Sequence, residues 1–278
     1  MEVFIAGLGF DLGSDWGIFW TCTAWTFAVV TLIWVIGLFQ PTHSMMDGWY
    51  GFGYATAAGL AYLLTKTSSP TAAVVLLMAG LHGCRLGWYL SKRWFGYAKE
   101  GGGDARYFGF KDKLSPGYWW KSFFVVMEPQ AIVIAVIGIP SVWGIIGNRS
   151  DAPIGALGIL GMIVFGVGYY FETVGDGQLQ AFKADANNKG RYLRTGVWTH
   201  TRHPNYFGNT TVWWGIWLTA VAGNPSIWWT VIGPLFNTIM LTGVLGKAFQ
   251  DKHMGGRPAY QKVMAETRGF LPLPVRKA

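Results

Sequence analysis

Charge is what this sequence has least of. Asp, Glu, Lys and Arg make up 13% of its 278 residues, against roughly 25% in a soluble domain. That scarcity argues against a water-soluble globule. Acids are the scarcer sign, 14 against 22 Lys and Arg, for a net charge of +8. The basic residues cluster between apolar segments, so membrane topology accounts for them and nucleic acid does not. Only two cysteines occur, Cys22 and Cys84, both in apolar stretches. They imply neither a disulfide framework nor a metal motif, and no metal is expected. A cleavable signal peptide is not expected, because Glu2, Asp11 and Asp15 stand where a positive n-region belongs. No repeat is apparent, and no loop is long enough for a separate soluble domain.

Apolar and aromatic residues fill the space. Half the chain is hydrophobic, with 16 Trp and 39 Gly, the profile of a polytopic membrane protein. The reading is an all-α bundle of seven transmembrane helices forming a single membrane domain. Each span is near the ~20 residues a bilayer requires: 17–39, 48–66, 70–91, 118–146, 153–178, 205–222 and 226–249. Nineteen of the 22 Lys and Arg then fall on one side, in 92–121, in 183–204 and in the tail from Lys247. The positive-inside rule gives N-out, C-in in a multi-pass protein, with 92–117, 183–204 and 250–278 inside.

Between spans five and six lies GRYLRTGVWTHTRHPNYFGN, Gly190 to Asn209. A topogenic loop would need its arginines and nothing more. Here Arg191, Arg194, His200, Arg202, His203, Asn205 and Tyr206 are packed around Pro204, which suits the first turn of a helix. Free N–H groups at such a terminus favour an anion. The stretch therefore reads better as an anionic-ligand site than as topology alone.

Polar residues inside the spans point the same way, since charge in hydrocarbon is costly. His82, Arg85 and Tyr89 share one face of span three. Glu172, Asp176, Gln180 and Lys183 recur at helical spacing at the end of span five, as a solvated face or a cofactor wall. Gly161, Gly168 and Gly175, seven apart, make a stripe for close helix packing. In span four Glu128 precedes Pro129, which should kink the helix; Glu128 is either paired to a neighbouring span or turned to substrate. Asn237, in span seven, is open to the same two readings. Asp47, at the start of span two, reads first as an N-cap. The loop EGGGDARYFGFKDK follows a helix rather than a strand, so it is not a dinucleotide fingerprint. Its Asp104, Arg106 and Tyr107 either wrap a phosphate or ribose or belong to a simple flexible loop.

These pieces, in this order, resemble the membrane family of steroid 5-alpha-reductases and their bacterial relatives. More distantly they resemble sterol reductases and isoprenylcysteine methyltransferases. The resemblance rests on MMDGWYGFG, LHGCRLGWY, GGGDARY, Gln130 with Pro140, GDGQLQAFK, RTGVWTHTRHPNYFGN and DKHMGGRPAYQKVMAETRGFLPLP, over roughly residues 20–274. It implies a seven-span protein holding NADPH near the cytoplasmic face and reducing a C=C bond conjugated to a ketone in a lipid-soluble substrate drawn from membrane lipid. By position it assigns Asp176, Lys183, Arg191, His200, Arg202, Asn205 and Arg85 to the cofactor, and it places the catalytic carboxylate near Asp47 and the donor near His82. His82 stands where steroid-acting members have a Tyr, Met46 where they have a Gln, and Asn209 where many relatives carry an acid.

The full expected set is thus His82, Asp47 and Glu128 at the chemistry. Around NADPH stand Arg85, Tyr89, Asp104, Arg106, Tyr107, Asp176, Lys183, Arg191, Arg194, His200, Arg202, His203, Asn205 and Tyr206. Two other functions fit the same sequence. An S-adenosylmethionine-dependent methyltransferase would use the Arg-His-Pro-Asn-Tyr patch for a carboxylate, though five cations in one loop suit a bis-phosphate nucleotide better. A non-catalytic lipid-binding or assembly subunit would use the Trp-Trp pairs at 119–120, 213–214 and 228–229 as contacts. No obligate protein partner is inferred.

Overall fold

A computed structural model describes residues 10–99, 103–244 and 246–273. Glu2, Gly101, Gly102, Arg276 and Lys277 lie outside the described residues, as do the side chains at 97, 98, 244, 249, 250 and 253. Every regular element among the described residues is helical. The main helices are α1 Asp15–Gly37, α2 Met46–Thr65, α3 Pro70–Lys99 and α4 Ala105–Leu114. They continue with α5 Tyr118–Ile146, α6 Ala156–Ala184 and α7 Pro204–Gly223. Last come α8 Ile232–Ile239, α9 Lys247–Met254 and α10 Pro258–Glu266.

Helices α1, α5, α6 and the Pro70–Gly96 part of α3 are long and apolar enough to cross a membrane. Six of the seven expected segments coincide with single helices. The seventh, 226–249, does not. It is broken into a 3-10 turn Pro225–Val231, α8, a π turn Met240–Val244 and the start of α9. Apolar composition concealed its helix breakers: Pro234, whose ring cannot sit in an uninterrupted ladder, and Gly246, whose backbone (φ −93°, ψ −109°) is not helical.

The chain divides into two compact units. The first holds the described residues up to Gly155 together with Ala220–Thr230. At its heart α2 and α3 run antiparallel with their backbones touching. A Cβ at Gly51 would lie 2.1 Å from Gly87 N and 2.3 Å from Gly83 O. Helix α5 contains a π turn after its first α-helical turn, Phe123–Met127, in which Glu128 N bonds Phe123 O. Pro129 explains the turn: its ring would clash with the carbonyl four residues back, and an i−5 ladder relieves the clash.

The second unit holds Ala156–Thr219 and the described residues from Val231 on. Here α6 packs on α7 along the expected stripe. A Cβ at Gly168 would meet Val212 N at 2.5 Å, and one at Gly161 would meet Thr219 N at 2.6 Å. The facing helix has its own stripe, also seven apart: Gly208 approaches Glu172 N and Gly215 approaches Phe165 N. Close glycine contact lets two helices pack by dispersion in a solvent as apolar as their side chains.

His43, in the loop between α1 and α2, carries a testable consequence. Its Nδ1 is 2.7 Å from Tyr118 Oη, and the ring is 1% exposed. Nε2 is buried with no hydrogen-bond partner among the described residues. Burial, aided by nearby Lys111, lowers the affinity of this imidazole for a proton. The unfolded chain takes up that proton near the ordinary pKa of about 6.5, and the folded chain resists it. Stability is therefore expected to be full above that pH and to fall as pH drops through it. Melting temperature recorded from pH 7.5 to 5.5 should show less of this fall in His43→Asn than in the parent.

Candidate functional site

In the first unit the charged residues at the end of the α2–α3 pair converge on one carboxylate. Asp47 Oδ2 accepts from Arg93 Nη2 and from Arg106 Nη2, each at 2.6 Å, and Oδ1 accepts from Tyr107 Oη at 2.9 Å. Asp47 is therefore not the N-cap of α2; Met45 occupies that position without a side-chain bond. Asp104 does cap α4, accepting from Arg106 N, and its two oxygens also take Arg106 Nε and Nη2 at 2.9 Å. Burial alone would lift the Asp104 carboxyl, but its bonds to Arg106 hold it below the usual range. Buried Tyr107 also faces Gln130 Oε1 at 3.3 Å, and because Gln130 Nε2 donates to Val126 O, one phenolic proton serves two acceptors. Burial and the adjoining Asp47 push that phenol well above its ordinary value. Two carboxylates neutralise two guanidiniums here, so Asp104, Arg106 and Tyr107 form a closed clamp that offers little net charge to a phosphate.

His82 lies in the same unit but not beside Asp47. On α3 it is 11 residues from Arg93, Asp47's partner, or about 16 Å of helix. Its ring is fully buried and stacked on Tyr54, 6.2 Å between centroids. Arg85 lies over the Tyr89 ring one turn away, at 5.4 Å. Glu128 accepts from Thr31 of α1 at 3.3 Å, an interhelical tie. The three residues expected at the chemistry are thus placed in three separate settings.

The second unit contains a cavity of about 510 Å³, within the 300–1,000 Å³ of ordinary ligand sites. The end of α6, the 185–203 loop and the tail build its walls. Phe182, Tyr192, Trp198 and Tyr260 supply aromatic faces; Lys183, Lys189, Arg191 and Arg202 supply cations. The loop is pinned to α6 by Trp198 Nε1, which donates to Gly175 O at 3.0 Å, and by Val197 N, which donates to Gln178 Oε1 at 3.1 Å. Asp185 is the one lining acid, and it caps the 3-10 turn Ala186–Asn188. No carboxylate among the described residues pairs with Lys183, Lys189 or Arg191, and all three are exposed.

Of the expected cofactor residues, Lys183, Arg191, Arg202 and His203 line this cavity. Arg202 differs from the others. Its guanidinium is 8% exposed, donates to Asp251 Oδ2 at 2.8 Å and to the Thr267 carbonyl, and so ties the loop to the tail. Arg194 pairs with Glu266. His200 is exposed at the end of a 3-10 turn and is not in the lining. Asn205 donates to Asp176 at 3.0 Å and Asn209 to Glu172 at 3.0 Å, with Asn237 donating to Asn209 at 2.9 Å. These bonds join α6, α7 and α8, and they place Asp176 and Asn205 in helix packing. Tyr206 stacks on His203 with rings 2° from parallel. Lys189, Asp251 and Tyr260 did not figure among the expected residues. Lys189 was legible as a loop cation; the two tail residues lie in the motif DKHMGGRPAYQK, to which no role was assigned.

The sequence profile of a family described as a protein of unknown function, DUF1295, matches residues 33–267. No curated protein matches the chain, and no solved structure does.

Proposed function

We propose that this chain, which belongs to the DUF1295 family, is an NADPH-dependent membrane reductase of a C=C bond conjugated to a carbonyl in a lipid-soluble substrate. The observation that carries the reading is the cavity of the second unit. Lys183, Lys189 and Arg191 stand around it unneutralised, beside aromatic faces suited to a nucleotide base. Such a set fits a ligand with several negative charges better than one with a single carboxylate, because Arg and Lys each add a charge-assisted bond to a phosphate oxygen. A methyltransferase cofactor, with one carboxylate, would leave most of these cations without a partner.

The reading includes seven spans with the N-terminus outside, which puts the loops and tail around this cavity in the cytoplasm where the nucleotide is. Bound NADPH would supply the hydride to the β carbon of the enone. The chain's part is to grip the phosphates and to meet the charge that grows on the carbonyl oxygen as the hydride arrives. Asp47 is held by Arg93, Arg106 and Tyr107; His82 is proposed as the donor. One donor of this kind in a dry site lowers the barrier by ~3–4 kcal/mol.

Thermal melting of the purified protein in detergent tests the cofactor. NADPH at a hundred times its Kd should stabilise by about 2.7 kcal/mol. A shift with S-adenosylmethionine instead would convert the reading to a methyltransferase. A shift with neither would leave a lipid-binding or assembly subunit. For the donor, His82→Ala is expected to cut turnover roughly a hundredfold or more while NADPH affinity stays near the parent's; equal losses in both would remove His82 from the chemistry.

A further inference from the structure

Arg202, His203 and Tyr260 all line the cavity, and all three approach a carboxylate that does not. Asp251, on α9, has a side chain only 11% exposed. Its Oδ2 takes Arg202 Nη2 at 2.8 Å and has Lys247 Nζ, one helical turn earlier, at 3.5 Å. Its Oδ1 takes Tyr260 Oη at 2.6 Å and Arg202 Nε at 3.4 Å, with His203 Nε2 at 3.6 Å. A carboxylate offers about four lone-pair directions, so these neighbours use its whole capacity. They come from three places: the loop before α7, α9 itself, and α10.

The geometry points to Asp251 as a positioning residue. It fixes the cavity's tail wall against its loop wall by holding Arg202 and Tyr260 at once. Arg202 extends the hold, since its main-chain N–H donates to Arg268 O at 2.9 Å and its second amino group reaches the Thr267 carbonyl. Burial alone would raise the Asp251 carboxyl, but His203, Arg202 and Tyr260 hold it well below the ordinary carboxylate range. The group therefore stays ionised in ordinary buffers and has no proton to give. Its action on a ligand passes through the residues it holds.

This inference rests on the nucleotide reading of the cavity, and electrostatics separates it from a simpler role. If Asp251 contributed only its charge, Asp251→Asn would make the cavity more positive and strengthen the binding of an anion. If it positions, the same change releases Tyr260 and Arg202 and weakens binding in spite of the added positive charge. The experiment titrates NADPH into parent, Asp251→Asn and Asp251→Glu proteins, well below each melting temperature, and follows nucleotide fluorescence. The expected result is a Kd at least tenfold higher for Asp251→Asn, largely restored in Asp251→Glu. Limited trypsin digestion of the same proteins reads the wall without any ligand. Cleavage after exposed Lys252 and Lys262 should quicken several-fold in Asp251→Asn. Equal or tighter NADPH binding with unchanged cleavage overturns the inference. If the parent binds no NADPH, the nucleotide reading fails, and the digestion rates alone uphold or overturn the positioning role. Should Asp251→Asn not fold, Tyr260→Phe removes one hold alone and is expected to raise Kd about threefold; no change there overturns the inference equally.

Discussion

Replacing Lys183 and Arg191 together by alanine is expected to weaken NADPH binding about a hundredfold and to leave the fold intact. Both side chains are exposed at the cavity, so their loss removes no packing and leaves no buried group unpaired. Hydrogen bonds to charged groups are worth about 1.5–3 kcal/mol each when sheltered. Solvent exposure moves these two to the low end, near 1.4 kcal/mol, or tenfold apiece. Salt supplies the control. Charges near the surface are screened over about 8 Å at physiological ionic strength, so the parent's affinity should fall steeply between 50 and 500 mM salt and the double variant's should fall less. Nucleotide titration at several salt concentrations measures both. Parallel salt slopes, or an unchanged Kd, would remove the phosphates from this cavity.

Arg202 is already engaged, by Asp251 and by the Thr267 carbonyl. From sequence it is the natural phosphate ligand, placed just before a helix that starts with proline. That local inference succeeded as far as the backbone, since α7 does begin at Pro204. The side chain was decided by Asp251, 49 residues along the chain, and no periodicity or spacing near Arg202 refers to it. Asp47 went the same way. Beside its own helix it looks like a cap, and the arginines that claim it lie 46 and 59 residues further on. Ion pairs of this range are set by which helices the fold brings together.

What could be read was what depends on neighbours in sequence. Six helices were visible in their largely apolar stretches, and four of them are long and apolar enough to cross a membrane. The glycine stripe on α6 was visible because a period of seven keeps one face of a helix bare. The matching stripe on α7, Gly208 and Gly215, carried the same signal. Gly208 sits inside a polar motif, which masks that period. The seventh segment is the opposite case: its hydropathy is that of a span, and Pro234 and Gly246 interrupt it.

The second large effect is expected at Gly51, where glycine is demanded by contact rather than by conformation. Gly51→Ala would place a methyl group 2.1 Å from Gly87 N and 2.3 Å from Gly83 O. Those are backbone atoms of α3 and have no rotamer to retreat into, so α2 and α3 must move apart. Overpacking of this kind costs typically 1–3 kcal/mol, and a rigid backbone partner places it at or above the top, about 3 kcal/mol. Gly59, two turns along the same helix, faces open space: a Cβ there would have nothing within 4 Å. At that position alanine should help by about 0.5–1 kcal/mol, since glycine in a helix interior is the less favourable residue. Two glycines on one helix are thus predicted to respond with opposite sign, which helix propensity alone cannot produce. The separation forced at Gly51 lies one turn from Asp47 and its bonds to Arg93 and Arg106. Melting of Gly51→Ala and Gly59→Ala beside the parent decides the matter: shifts of the same sign in both would mean that α2 and α3 do not touch as described.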